Sequence, residues 1–165
     1  MTKYSPINLS FKHEENINWF YHRALLADLN ADGREDILSC RTYKPTLFGE
    51  TKTELVAFIF NEKKQNFDGV VIMESACDVF FDVKDIDKDG RFEIVAAGFF
   101  ISKLNLIYSE DAKNSFVNRQ VKVKTIDTNA GQLFDVKLAD LDGQGIYYFV
   151  ITVINEYNKF LVRFL

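Results

Sequence analysis

The constraint that most limits how this chain can fold is a short acidic segment that occurs three times. Asp28-Leu29-Asn30-Ala31-Asp32-Gly33-Arg34-Glu35-Asp36-Ile37 returns as Asp85-Ile86-Asp87-Lys88-Asp89-Gly90-Arg91-Phe92-Glu93-Ile94. A weakened copy follows at Asp140-Leu141-Asp142-Gly143-Gln144-Gly145-Ile146-Tyr147-Tyr148-Phe149. The first Asp of each falls at 28, 85 and 140, separations of 57 and 55 residues. That period is too long for two-helix repeats and suits a four-stranded unit. The chain of 165 residues is long enough for one buried core, so one domain of three repeats is expected, at about 19–75, 76–130 and 131–165.

Each acidic segment lies between two apolar runs. Ala24 to Ala27, Val79 to Val83 and Phe134 to Leu138 precede the loops, and Ile37 to Cys40, Ile94 to Phe100 and Phe149 to Ile154 follow them. Phe81/Val83 alternate with Asp82, and Val136/Leu138 with Lys137, which is the two-residue period of a half-buried strand. The loops therefore read as hairpins. Third strands are expected at Glu54–Asn61, Leu104–Ser109 and Lys159–Leu165, and fourth strands at Val70–Glu74 and Gln120–Ile126. An additional strand over 7–11 precedes the first repeat and would complete the last sheet. Polar connections at Asn61–Asn66 and Ser109–Ser115 and a turn at Thr128–Gly131 separate the strands. No window sustains helical periodicity, and sixteen Phe and seven Tyr against two Pro favour sheet.

Within the loops, oxygen-bearing side chains occupy positions 1, 3, 5 and 9, and Gly occupies position 6. This is the donor pattern of a hard-cation cage, and calcium, with six to eight oxygens in loose geometry, is the natural occupant. The expected ligands are Asp28, Asn30, Asp32 and Asp36 in the first loop and Asp85, Asp87, Asp89 and Glu93 in the second. Arg34 and Arg91 would contribute backbone carbonyls, with their side chains in solvent. An EF-hand requires Glu at position 12 and flanking helices. Here position 12 is Ser39, Ala96 or Ile151 and the flanks are strand-like, which rejects it. In the third loop Gln144 replaces the position-5 acid and Tyr148 the position-9 acid, so Asp140, Asp142 and Gln144 form a weak or vestigial site.

The pattern Asp-x-Asn/Asp-x-Asp-Gly-x-x-Asp/Glu-Ile resembles the FG-GAP/VCBS repeats of integrin-α-type β-propellers, over nearly the whole chain. The resemblance implies an all-β, propeller-like fold of about three four-stranded blades, with calcium in the hairpin joining the first two strands of each. Family members usually close a ring of seven blades. Three blades are too few for a covered ring. The chain is then a partial propeller or fragment, pairs with itself, or has capped ends.

Function follows from these features as expectations. The metal would be structural, because a site supplied by one loop leaves little room for substrate. The domain would be a non-catalytic, rigid platform for a protein or glycan partner. The alternative is a carbohydrate- or phosphodiester-active enzyme, or an accessory domain of one, with a site near His22 and Arg23 and the Trp19-Phe20-Tyr21 run as a stacking platform. His13 has no evident partner. The aromatic runs, including Phe80-Phe81, Phe99-Phe100 and Tyr147-Tyr148, admit a lectin-like use, although rings buried between sheets account for them.

Net charge is −4 and Lys and Arg are scattered, as at Lys63-Lys64 and Lys122/Lys124, which gives no basic surface for nucleic acid. Cys40 and Cys77 are expected as free, half-buried thiols on different strands of one repeat. No apolar run is long enough to span a bilayer and none resembles a signal peptide, so the chain reads as cytoplasmic if complete and extracellular if cut from a secreted protein.

Overall fold

The computed structural model describes residues 7, 9, 11, 17–46, 48–109, 116–128 and 131–154, and the backbone of 160–164. Among them are eleven strands in three antiparallel sheets. The first sheet runs in the order β1 (Phe20–Ala27), β2 (Asp36–Tyr43), β3 (Lys52–Asn61) and β4 (Asn66–Glu74). The second repeats it with β5 (Phe80–Lys84), β6 (Glu93–Ala97), β7 (Leu104–Tyr108) and β8 (Lys122–Asp127). The third holds β9 (Gln132–Ala139), β10 (Tyr148–Ile154) and β11 (Phe160–Phe164). Each acidic loop is the hairpin between the first two strands of its sheet. No described helix is long and apolar enough to cross a membrane.

The sheets stack face to face because alternate residues of each strand are apolar on both sides of the middle layer. Leu38, Cys40, Leu55 and Ala57 of the first sheet pack on Phe81, Ile94, Ala96 and Ile107 of the second, and Phe116 from the β7–β8 connection joins them. The opposite face of the second sheet, Val95, Ala97 and Leu104, packs on Leu133, Val136, Leu138, Ile151 and Val153 of the third. Strand β6 is consequently buried at every residue, and its sequence is a continuous run rather than an alternation. At its end a Cβ on Gly98 would fall 2.3 Å from Ile101 Cγ1 and 2.8 Å from the Lys103 carbonyl oxygen. The strand stops at Ala97, short of the expected Phe100.

Polar ties link the sheets at their inner strands. Arg23 on β1 donates to the Phe81 carbonyl of β5 at 2.9 Å and to Asp135 of β9 at 3.0 Å, and its guanidinium lies 4.6 Å from the centre of the Phe80 ring. Asp82 on β5 accepts the Leu138 amide of β9 and the Lys137 ammonium, both at 2.9 Å.

Two expectations change. The cysteines are joined in a disulfide, with Cα atoms 5.8 Å apart and both residues fully buried, rather than being free thiols. Cys77 sits in the β4–β5 connection, not on a strand, and the bond ties that connection to β2. The strand expected over 7–11 lies partly outside the described residues. Its Phe11 packs on the first sheet, 5.3 Å from Phe58 and over the Arg41 guanidinium at 4.1 Å.

Candidate metal centres

The three loops share one backbone path, held by side-chain oxygens that accept backbone amides. At position 1, Asp28, Asp85 and Asp140 accept the amide of the glycine at position 6, at 2.9, 3.0 and 2.9 Å. At position 3, Asn30, Asp87 and Asp142 accept the position-5 amide at 3.0, 3.2 and 3.0 Å. At position 5, Asp32 and Asp89 accept the amides of Arg34 and Arg91 at 2.9 and 2.8 Å. The position-6 glycines Gly33, Gly90 and Gly145 take φ of 86°, 83° and 80°, where a side chain would be strained. Position 4 is also left-handed, at Ala31, Lys88 and Gly143, with φ of 57°, 63° and 72°.

Position 9 is the first residue of the following strand in the first two repeats, Asp36 on β2 and Glu93 on β6. Asp36 is fully buried and accepts the Leu29 amide at 3.1 Å and the Phe60 amide at 3.2 Å. Glu93 accepts the Ile86 amide at 2.8 Å. Burial pushes both carboxyls above their usual range, and the neighbouring loop carboxylates push further in the same direction, while the backbone amides oppose. In the third loop Tyr148 stands here. Asp140 instead lies below its ordinary pKa, chiefly through the Gly145 amide.

Asp85, Asp87 and Asp89 each present a carboxylate oxygen, all within 4.8 Å of one another. Two oxygens on one calcium at about 2.3–2.6 Å can lie at most about 5 Å apart, so the three carboxylates have the spacing from which a common ion could be gathered once Arg91 leaves Asp89. An oxygen that accepts one amide retains a second lone pair for a metal. The Arg91 side chain, expected in solvent, folds back onto Asp89, whereas Arg34 stays half-exposed and pairs with Glu62 over the Phe60 ring. An open cleft of about 460 Å³ adjoins the second loop, with Asp87, Asp89 and Glu93 on one side and Leu106, Tyr108 and Lys124 on the other.

The residues considered for an enzymatic site are placed differently. The Arg23 guanidinium is committed to Phe81 and Asp135. His22 is exposed, and partial burial holds its imidazole below the usual pKa against the opposing pull of Asp78. Trp19 and Tyr21 lie around Arg41, the Trp19 ring 4.2 Å from the guanidinium and the Tyr21 hydroxyl accepting from it at 3.1 Å, while Phe20 and Tyr21 are exposed at 62% and 44%. His13 lies outside the described residues.

Two polar residues that sequence reasoning passed over organise this region. Arg41 is fully buried and donates to Glu54 at 2.8 Å through Nε. Asp78, also without exposure, accepts the amides of Phe99, Phe100 and Ile101 at 2.8, 2.7 and 3.2 Å. Only its place beside Cys77 in a connection marks Asp78 in the sequence. Comparison of the chain with protein-family models, curated proteins and solved structures finds no match.

Proposed function

We propose that this chain is a non-catalytic, calcium-binding repeat domain of the FG-GAP/VCBS, β-propeller type, serving as a rigid platform for a protein or glycan partner. The observation that carries the reading is the convergence of Asp85, Asp87 and Asp89 oxygens within 4.8 Å, in a hairpin whose backbone path is shared by the first loop. Calcium would be held by Asp28, Asn30, Asp32 and Asp36 in one loop and by Asp85, Asp87, Asp89 and Glu93 in the other, with carbonyls of Arg34 and Arg91. Its charge would offset the mutual repulsion of these carboxylates and stiffen each hairpin. Single-loop sites of this kind in extracellular modules bind at about 0.1–1 mM. A buried disulfide suits the same oxidising, calcium-rich surroundings.

The test is Asp89→Asn, followed by thermal melting and calcium titration calorimetry. Asn keeps an oxygen for the Arg91 amide while removing a charge, so the calcium-free protein is expected to melt at or above the parent temperature. The rise in melting temperature with millimolar calcium should shrink for the variant. Equal calcium response in parent and variant, or none in the parent, rejects the reading.

A further inference from the structure

We infer that Arg91 is a built-in competitor for calcium at the second loop: its guanidinium holds the position-5 carboxylate until the ion displaces it, and Arg34 plays no such part in the first loop. The inference rests on the calcium reading and adds how one of the two sites is regulated.

The two loops differ at position 3, and the difference travels to position 5. In the first loop the Asn30 side-chain nitrogen donates to Oδ2 of Asp32 at 3.1 Å, while Oδ1 of Asp32 accepts the Arg34 amide at 2.9 Å. Both oxygens are thereby engaged by neutral donors. In the second loop position 3 is Asp87, and an ionised carboxylate only accepts. Oδ1 of Asp89 still accepts the Arg91 amide, at 2.8 Å, but Oδ2 takes the Arg91 guanidinium where the first loop supplies an amide donor.

Charge accounts for the exchange. At the ligand positions the first loop carries Asp28, Asp32 and Asp36, whereas the second carries Asp85, Asp87, Asp89 and Glu93. The three aspartates of the second loop bring oxygens within 4.8 Å of one another, where like charges repel. One guanidinium folded inward returns the ligand positions of the second loop to the net charge of the first. The outward alternative also differs between the repeats. Arg34 pairs with Glu62 and lies 5.6 Å from the centre of the Phe60 ring. The pairing of Ile37 with Phe58 and of Ile94 with Ile107 makes Phe60 and Ser109 equivalent, so a hydroxyl stands in the second repeat where Arg34 has a ring.

Asp89 and Arg91 keep 27% and 32% of their side-chain surface exposed, so theirs is a weak, partly solvated pair. Calcium, with twice the charge and several oxygens to bind, displaces it. A pair of this kind lowers the affinity of the second site by about two- to fivefold.

The experiment is a calcium titration of isotope-labelled protein followed by NMR. The Gly33 and Gly90 amides report the two loops, and the Arg34 and Arg91 Nε–H signals report the two side chains. In the parent the Arg91 signal is expected to move with the same midpoint as Gly90, while the Arg34 signal stays. Arg91→Gln should tighten binding at Gly90 by about two- to fivefold and leave the Gly33 midpoint unchanged. Lys88→Gln removes a positive charge from position 4 of the same loop and controls for general electrostatics; its effect at Gly90 should be smaller. Asp87→Asn supplies the amide donor of the first loop, and on that background Arg91→Gln should have no further effect. The inference is overturned if Gly90 shifts while the Arg91 signal stays, if Arg91→Gln binds as the parent does, or if Lys88→Gln matches it. Each of those results leaves the calcium reading standing, because the glycines still respond. If neither glycine responds to millimolar calcium, the calcium reading itself fails and this inference with it.

Discussion

Asp78 shows what a single buried carboxylate can do in an all-β stack. Three amides of the β6–β7 connection converge on it, and its own carbonyl accepts the Thr42 hydroxyl at 2.6 Å, so one residue ties a turn of the second sheet to a strand of the first. Burial raises its pKa, and the amides only partly oppose this. A carboxyl whose folded pKa exceeds its unfolded value of about 3.9 binds its proton more tightly in the native state. Its contribution to stability is complete below that unfolded value and is lost as pH rises through the folded one. Asp36 and Glu93 act with the same sign. In calcium-free buffer the stability is thus expected to fall as pH rises from about 4, by at most about 1.4 kcal/mol per pH unit for each proton released. Asp78→Asn should lower overall stability by about 1–3 kcal/mol, because an amide NH₂ would face backbone donors, and should flatten the slope. Urea unfolding at a series of pH values measures both, and an unchanged slope in the variant would remove Asp78 from this account.

At the scale of elements, the hairpins were legible because their signal is local. The glycine at position 6 and the oxygens at 1, 3 and 5 specify the turn, and the third loop keeps that turn after losing its position-5 and position-9 acids. Alternation located most strands as well. It failed at Phe20–Arg23, where a register shift between Tyr21 and Ala24 breaks the two-residue period and hid the start of β1. The disulfide was illegible for another reason: its cysteines are 37 residues apart, and the β4–β5 connection reaches β2 only through the tertiary fold. Arg41 was missed because a buried guanidinium is stabilised by Glu54, Tyr21 and the rings around it, all distant in sequence. Cross-linking a loop of this length removes about 4 kcal/mol of unfolded-state entropy in the chain-entropy model. Cys40→Ala/Cys77→Ala is therefore expected to lose about that much stability in chemical denaturation. The native bond, with both sulfurs inside the core, should resist mild reductant until the chain unfolds. A loss below about 0.5 kcal/mol would mean that the bond adds nothing to the packing.

For the whole molecule, the decisive asymmetry is that the middle sheet carries an apolar core on each of its faces. Every residue of β6 is buried, the strand is paired on both sides by β5 and β7, and the cores on its two faces draw on all three sheets. Opening β6 requires both cores to part, so its amides should exchange with deuterium only through global unfolding. The first sheet has one core face, and Phe11 and Trp19 shelter part of the other around Arg41. The third has one core face, with Val150, Thr152 and Ile154 only half-buried on the other. Hydrogen exchange is accordingly expected to rank β6 slowest, β2 and β3 next, and β10 fastest. Uniform protection across the three sheets would show that the stack opens as one unit and that the uncovered end costs it nothing.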